Sequence, residues 1–191
     1  MQGDATRITL LVAQTLEQIG ISYAVGGSLA SSLHGVMRST LDVDILADMK
    51  LEHILPLVGA LSEHFYLDDQ MMRDAIRRHS SFNLIHYETA FKADIFICKQ
   101  RGFDRMQLDR RILSMITNDS DQSVYVVSPE DIILAKLEWY RLGHEVSDRQ
   151  WRDILGVLKI REGELELDYM REWASELGVA NLLERALHDA T

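Results

Sequence analysis

Two short motifs near the N-terminus constrain the fold of this chain more than any other feature of its sequence. The first, Gly26-Gly27-Ser28, follows an apolar segment, and this order predicts a short buried strand that turns tightly and opens a helix at the serine. The second, Asp42-Val43-Asp44-Ile45, predicts a strand, in which residues two apart share a face. We therefore expect Asp42 and Asp44 on one face of a sheet and the two apolar residues on the face that packs into the core.

The chemistry of these motifs points to an anion and a divalent cation. Backbone N–H groups at a glycine turn that leads into a helix bind anions, and the Ser28 hydroxyl can add a donor. Two neighbouring carboxylates repel each other unless a cation or solvent compensates them, and Mg²⁺ is commonly held by one or two carboxylates together with substrate phosphates. The motifs together predict a site for magnesium and a phosphorylated substrate. The alternatives are a plain strand-to-helix turn and an exposed sheet edge with solvated aspartates.

A third acid, Asp94, interrupts an otherwise apolar run from Phe91 to Ile97 that predicts another strand. If that strand lies beside the strand of residues 41–46, the three carboxylates converge. Three acids can hold a two-metal site, or the third can act as a base on an attacking hydroxyl. The alternative is an ion pair between Asp94 and Lys92 or an arginine.

The remaining pattern predicts an α+β protein. A mixed β-sheet flanked by helices is expected in a domain of residues 1–127, followed by a small helical domain of residues 128–191. Pro56 indicates that its helix either begins nearby or is kinked there. Helices are predicted over residues 5–19, 29–34, 51–61, 69–78, 132–142, 151–160, 168–177 and 180–188, and strands over 21–25, 41–46, 65–67, 81–87, 91–98 and 123–127.

Composition excludes several classes of function. The formal net charge of −10 argues against non-specific affinity for a nucleic-acid backbone. Cys98 is the only cysteine, so an internal disulfide is impossible and a reducing cytoplasm is the expected location. The sequence has no apolar stretch of the roughly 20 residues that a membrane helix needs. It also lacks the Gly-x-x-x-x-Gly-Lys run of P-loop ATPases, and its histidines show no metal-ligand spacing.

In order and spacing, the three motifs resemble the pattern of the nucleotidyltransferase-fold superfamily, the DNA polymerase β-like group. The matching residues are Val25-Gly26-Gly27-Ser28, Asp42-Val43-Asp44-Ile45 and Asp94 before Ile95. A narrower resemblance is to bacterial AbiEii-toxin-like and related nucleotidyltransferases, which often carry Arg-x-Thr-x-Asp-x-Asp. Those proteins also carry a later helical lysine and a downstream aspartate, for which the best candidates here are Lys136 and Asp153.

The resemblance implies an enzyme that moves a nucleoside monophosphate from a nucleoside triphosphate to a hydroxyl acceptor, with Mg²⁺ or Mn²⁺ as cofactor. The implied catalytic and metal-binding residues are Asp42, Asp44 and Asp94. The implied nucleotide-binding residues are Gly26, Gly27, Ser28, Arg38, Thr40 and Lys136. Two of these have ordinary alternatives, since Lys136 could pair with a nearby acid and Arg38 could brace its loop.

Partners follow from the same resemblance. The acceptor is a tRNA, a protein or a small hydroxylated molecule such as an aminoglycoside, and the acidic C-terminal region favours a protein or a cationic small molecule over long RNA. A toxin–antitoxin or phage-defence context would add a cognate antitoxin, or a second copy of the chain, as partner. The alternative function is a catalytically silent protein of the same fold that binds nucleotide or regulates a partner. A purely structural domain with a solvated aspartate pair is a third reading.

Overall fold

The computed structural model of the protein describes residues 2–36, 40, 42–116 and 122–190. By the contacts that residues make, the chain divides into two compact units. The first comprises Met1–Gly26 with Ser39–Val126, and the second comprises Gly27–Arg38 with Val127–Thr191. Among the predicted site residues, Arg38 lies outside the described part of the chain.

The elements follow the predicted order closely. The helices are α1 (Gln2–Ile19), α2 (Gly27–His34), α3 (Ile54–Leu61, after a 3-10 turn at Leu51–His53), α4 (Asp69–Arg78), α5 (Gly102–Asp109), α6 (Pro129–Leu142), α7 (Asp148–Ile160), α8 (Leu167–Glu176) and α9 (Ala180–Ala190). The strands are β1 (Tyr23–Val25), β2 (Asp42–Ala47), β3 (Phe65–Tyr66), β4 (Ser81–His86), β5 (Lys92–Ile97), β6 (Ile112–Met115) and β7 (Ser123–Val126).

The strands of the first unit form one mixed sheet in the order β3-β4-β5-β2-β1-β7-β6. The pairs β2–β5 and β1–β7 are parallel, and the other neighbours are antiparallel. Burial alternates along β2 and along β5, because successive side chains of a strand point to opposite faces. This architecture, with helices at the C-terminal end, confirms the predicted α+β fold.

The ambiguity at Pro56 is resolved by the start of α3. The helix begins at Ile54, so the proline lies in its first turn, where a missing N–H breaks no helical hydrogen bond. Two elements were not predicted: α5, which is only eight residues long, and β6 at the edge of the sheet. The side chains of β6 are mostly exposed, so its sequence carries no alternation of apolar and polar residues.

The second unit contains α2 together with α6 to α9. Two serines cap its helices: Ser128 Oγ accepts from the Asp131 N–H at 3.2 Å, and Ser147 Oγ accepts from the Gln150 N–H at 3.3 Å. The helix α2 makes its contacts with α6 and α7. The domain boundary between residues 127 and 128 stays a prediction.

The helices α2 and α7 approach each other closely at a glycine. A Cβ added to Gly35, which follows α2, would lie 2.9 Å from the Val157 nitrogen and 3.0 Å from the Ser31 oxygen. Such distances are shorter than real Cβ contacts, and the obstacles are backbone atoms that cannot move aside easily. Glycine is therefore required at this position by packing.

The helices were also compared with the length and hydropathy that a membrane span requires. None of the helices in the described ranges is both long enough and apolar enough to cross a bilayer.

Candidate functional site

The acids of the two strand motifs lie on adjacent strands. The parallel pairing of β2 with β5 sets Asp44 directly opposite Asp94 and Asp42 opposite Lys92. Because residues two apart share a face, the three carboxylates lie on the same side of the sheet, while Val43 and Ile95 are buried on the other side. The structure thus brings together the three acids that the sequence predicted.

Thr40 supports the first of these acids. Its Oγ1 lies 2.8 Å from Asp42 Oδ1 and 3.0 Å from the Asp42 carbonyl oxygen, so the hydroxyl can donate its proton to either. This contact restrains the Asp42 carboxylate at the point where β2 begins. The predicted role of Thr40 in nucleotide binding stays a prediction, since its observed partner is the acid.

The positively charged side chain of Lys92 lies beside the acids. Its Nζ lies 2.8 Å from Asp94 Oδ1 and 2.9 Å from Asp94 Oδ2. The pKa of Lys92 is raised, chiefly by this hydrogen bond to Asp94, with smaller contributions from the charges of Asp94, Asp42 and Asp44. The Lys92 side chain is 43% exposed and that of Asp94 is 18% exposed, so solvent reaches the pair. This is the ion pair that the sequence offered as the alternative role of Asp94.

The three acids meet the requirements of a divalent metal only in part. Within residues 2–36, 40, 42–116 and 122–190, no three histidine, cysteine or acidic side chains are arranged to hold a metal ion. Asp94 instead accepts hydrogen bonds from Lys92. Asp42 and Asp44 still supply carboxylate oxygens from one face, and Mg²⁺ is commonly held by one or two carboxylates together with substrate phosphates. The chemistry of these two residues therefore fits magnesium, and the metal role of Asp94 stays a prediction.

The glycine turn is anchored to the acidic strand. Just after β1, the Gly26 N–H donates to the Asp44 carbonyl oxygen at 2.8 Å. Gly27 has a φ of +55°, in the left-handed region that favours glycine, and it is the first residue of α2. The predicted strand–turn–helix arrangement is therefore present. The sequence predicted that the helix begins at Leu29, and α2 begins two residues earlier, at Gly27.

The predicted lysine of the helical unit has a buried partner. Lys136 Nζ lies 3.0 Å from Asp153 Oδ2, and the two side chains are only 9% and 11% exposed. The sequence singled out both residues, and the structure pairs them with each other. The role of Lys136 as a phosphate ligand stays a prediction, and its observed contact is the ion pair that the sequence offered as the alternative.

Two further cations in this unit, Arg149 and Arg152, were not recognised as site residues from the sequence. Arg149 Nη2 lies 3.5 Å from Ser28 Oγ, a contact at the long limit of a hydrogen bond. Arg149 and Arg152 line a cavity of about 450 Å³, together with Ser31, Val36, Asp153 and Gly156. The i, i+3 spacing of the arginines places them on one face of α7, and that spacing is the signal that could have revealed them.

Two other side chains of reactive types, those of His34 and Cys98, are buried. His34 is buried, and its Nε2 lies 2.7 Å from the Val127 carbonyl oxygen, so the neutral ring donates there. Burial lowers the pKa of His34. Burial also raises the pKa of Cys98 to about 11, which keeps the thiol protonated and unreactive at neutral pH.

Known proteins resemble this chain in fold rather than in sequence. No protein-family model and no curated protein sequence matches it. Among solved structures, it is similar to an antigenic nucleotidyltransferase-like protein from Paracoccidioides brasiliensis, with a TM-score of 0.59 and 20% identity over 96% of this chain and 92% of the other.

A second similar structure is that of the antibiotic-resistance factor ANT(2'')-Ia. Its TM-score is 0.56, at 12% identity over 99% of this chain and 100% of the other. At such low identities the likeness concerns the fold, and the narrower resemblance to AbiEii toxins stays a prediction. The sheet order, the paired acidic strands and these two similarities lead to one conclusion: this chain has the nucleotidyltransferase fold.

Proposed function

We propose that the protein is a magnesium-dependent nucleotidyltransferase that moves a nucleoside monophosphate from a nucleoside triphosphate to a hydroxyl group. The observation that carries this proposal is the strand register that sets Asp44 opposite Asp94, with Asp42 on the same face. The Gly26 hydrogen bond to the Asp44 carbonyl ties the start of the glycine turn to the same strand. The shared fold supports the same class of reaction.

Each acid has its own task in this mechanism. Asp42 and Asp44 hold the metal, and Thr40 restrains the Asp42 carboxylate. When bound, Mg²⁺ or Mn²⁺ offsets the negative charge of the triphosphate. Asp94 accepts the proton of the acceptor hydroxyl, and the adjacent Lys92 ammonium is the hydrogen-bond partner of that carboxylate until the acceptor arrives.

The reaction exchanges one bond to phosphorus for another. The acceptor oxygen attacks the α-phosphorus in line with the leaving group, the bond from that phosphorus to the β-phosphate oxygen breaks, and pyrophosphate leaves. The phosphates are held by the Gly27 N–H and the Ser28 hydroxyl, while Gly26, whose own N–H donates to the Asp44 carbonyl, lets the phosphates approach because it has no side chain. Arg38, Thr40 and Lys136 complete the proposed nucleotide-binding set.

A small hydroxylated cation, such as an aminoglycoside, is the acceptor that we favour. One structural neighbour is named as an antibiotic-resistance factor, and the net charge of −10 favours a cationic molecule over long RNA. The other acceptors in the proposal are a tRNA and a protein. The toxin–antitoxin or phage-defence context, with an antitoxin or a second copy of the chain as partner, and a cytoplasmic location belong to the same proposal.

The metal and nucleotide roles are tested by calorimetry. Each nucleoside triphosphate is titrated with MgCl₂ into the wild type, into Asp42→Asn/Asp44→Asn and into Asp69→Asn/Asp74→Asn. The control removes two carboxylates from α4, in the same unit, where both pair with nearby arginines. We expect magnesium-dependent binding to be lost only in Asp42→Asn/Asp44→Asn. Binding that is equal in all three proteins would overturn the proposed site.

Transfer is tested with labelled nucleoside triphosphates and three acceptor pools: aminoglycosides, total tRNA and protein lysate. We expect magnesium-dependent label on one of these pools, with Asp94→Asn reducing the transfer while nucleotide binding is retained. Equal transfer by wild type and Asp94→Asn would remove Asp94 from its role as base.

One observation favours the silent alternative. Lys92 holds both oxygens of Asp94, which a catalytic base must have available. A protein that binds magnesium and nucleotide, yet labels none of the three pools, would be a nucleotide-binding regulatory partner of the same fold.

A further inference from the structure

A cavity within the helical unit has the size of a small-ligand site. Its volume of about 450 Å³ lies within the range of roughly 300–1,000 Å³ that such sites occupy. Its walls come from α2, from the residues that follow α2, and from α7. The described residues that line the cavity all belong to one compact unit.

The lining of this cavity is positively charged. Arg149 and Arg152 are exposed and contribute two guanidinium groups. The lining carboxylate, Asp153, is bonded to Lys136 at 3.0 Å, so its charge is already balanced by that ammonium. A concentration of positive charge is notable in a chain with a formal net charge of −10, and it predicts an anionic ligand.

The start of α2 adds to this positive potential. Arg149 contacts the Ser28 hydroxyl, and Ser28 is the second residue of α2. The first N–H groups of a helix have no acceptor within the helix, and they favour anions near them. The Ser31 hydroxyl lies 3.0 Å from the Gly27 carbonyl and donates within the helix. Among the described lining residues, the two guanidinium groups are therefore the main side-chain donors.

The walls of the cavity are held in place by backbone contact. Gly35 packs against the backbone of α7 at a distance that excludes a side chain, and a Cβ on Gly156 would lie 3.4 Å from Val36 Cγ2. Tight packing of this kind gives α2 and α7 little freedom to separate. The arginines are consequently presented from a rigid helix pair, which lowers the ordering cost of binding.

We propose that Arg149 and Arg152 form an oligophosphate-binding site, and that they add exposed positive charge for the nucleotide phosphates to the buried charge of Lys136. The planar guanidinium group donates two parallel hydrogen bonds to phosphate oxygens, which suits a multiply charged anion. Lys136 is held by Asp153 and is almost inaccessible to solvent. The choice of a nucleotide as the source of these phosphates rests on the proposed function, whereas the anion site itself does not.

The site is tested with inorganic tripolyphosphate, without metal, at low salt. Calorimetry compares the wild type with Arg149→Gln/Arg152→Gln and with the control Lys159→Gln/Arg171→Gln, which removes two exposed cations from the same unit. We expect the first variant to lose affinity by about tenfold or more, because two charge-assisted contacts are removed. The control is expected to bind like the wild type, and circular dichroism confirms that both variants are folded.

Three outcomes would overturn the site: no tripolyphosphate binding by the wild type, equal binding by Arg149→Gln/Arg152→Gln, or an equal loss in the control. Titration with ATP and AMP then identifies the source of the phosphates. If Arg149→Gln/Arg152→Gln loses as much affinity for ATP as for tripolyphosphate, the result supports a nucleotide as the source of the phosphates. An ATP affinity equal to that of the wild type would overturn the nucleotide assignment.

The same titrations separate this inference from the proposed function. If Asp42→Asn/Asp44→Asn leaves magnesium-dependent nucleotide binding unchanged while the arginine variant loses tripolyphosphate, the metal site fails and the anion site stands. If the aspartate variant loses nucleotide while the arginine variant binds every phosphate normally, the anion site fails and the proposed function stands.

Discussion

Two lysine–aspartate pairs, one in each unit, have almost the same geometry and different surroundings. Lys92 meets Asp94 at 2.8 Å on the sheet, and Lys136 meets Asp153 at 3.0 Å between helices. The first pair is partly open to solvent and lies beside two more carboxylates, whereas the second is nearly sealed from solvent. A solvated pair can exchange its partners at low cost, while a buried pair cannot. Burial, rather than distance, therefore distinguishes the pair suited to chemistry from the pair suited to stability.

The largest expected effect comes from breaking the buried pair. Lys136→Met leaves Asp153 without its ammonium partner and should lower the free energy of unfolding by about 3–5 kcal/mol. Urea denaturation followed by circular dichroism measures the change. The double variant Lys136→Met/Asp153→Leu should recover most of the loss, because no buried charge is then left alone. A single variant as stable as the wild type would show that the pair is not structural.

A smaller loss is expected from filling the close contact between α2 and α7. Gly35→Ala forces a Cβ against the backbone of α7 and should lower the free energy of unfolding by about 1–3 kcal/mol. Gly59→Ala is the matched control, since Gly59 lies in α3 and its added Cβ meets no atom within 4 Å. That control should be neutral or slightly stabilising. Equal effects of the two substitutions on the denaturation midpoint would contradict a rigid α2–α7 contact.

The solvated pair should respond in metal affinity rather than in stability. Lys92→Met removes a positive charge beside Asp94 and should strengthen Mn²⁺ binding by about five- to tenfold, because a neighbouring cation repels the metal. The unfolding free energy should change by less than about 1 kcal/mol. Electron paramagnetic resonance of free Mn²⁺ measures the affinity, and Lys50→Met serves as an exposed control. Weaker metal binding in Lys92→Met would mean that the lysine positions the acids instead.

The smallest effect is expected in the pH dependence of stability. Burial lowers the pKa of His34 below 6.5, the nearby Arg161 charge lowers it further, and Glu130 and the Val127 carbonyl oppose this. Below pH 6.5 the unfolded chain binds a proton that the folded chain does not, so this contribution to stability is lost as the pH falls.

Denaturation at pH 7.5 and pH 5.5 compares the wild type with His34→Gln, whose amide can still donate to the Val127 carbonyl. The wild type should lose more stability between these two pH values than the variant does. Identical losses would assign the pH dependence to other groups.

Local pattern explains which parts of this structure could be predicted. Alternation along β2 and β5 specified the faces of Asp42, Asp44 and Asp94. The α5 helix and the exposed β6 strand carry too weak a pattern to be recognised.

Long-range relations were beyond the reach of the sequence pattern. Lys136 and Asp153 were each recognised separately, but their contact depends on how two helices pack. Arg149 precedes the predicted helix of residues 151–160, and its contact with Ser28 joins residues 121 positions apart. Such contacts arise from tertiary packing, which local spacing cannot express.

The discontinuous helical unit has a consequence for biosynthesis. The residues of α2 leave the ribosome early, yet their contacts are with α6 and α7, which are translated after the sheet strands. Since chains emerge from the N-terminus, α2 remains without α6 and α7 until strands β2 to β7 have been made. A fragment that begins at residue 128 would lack α2 altogether, and would leave the apolar surface that α2 covers on α6 and α7 open to water. The helical unit is therefore completed only after the sheet strands, although its helix α2 is synthesised before most of them.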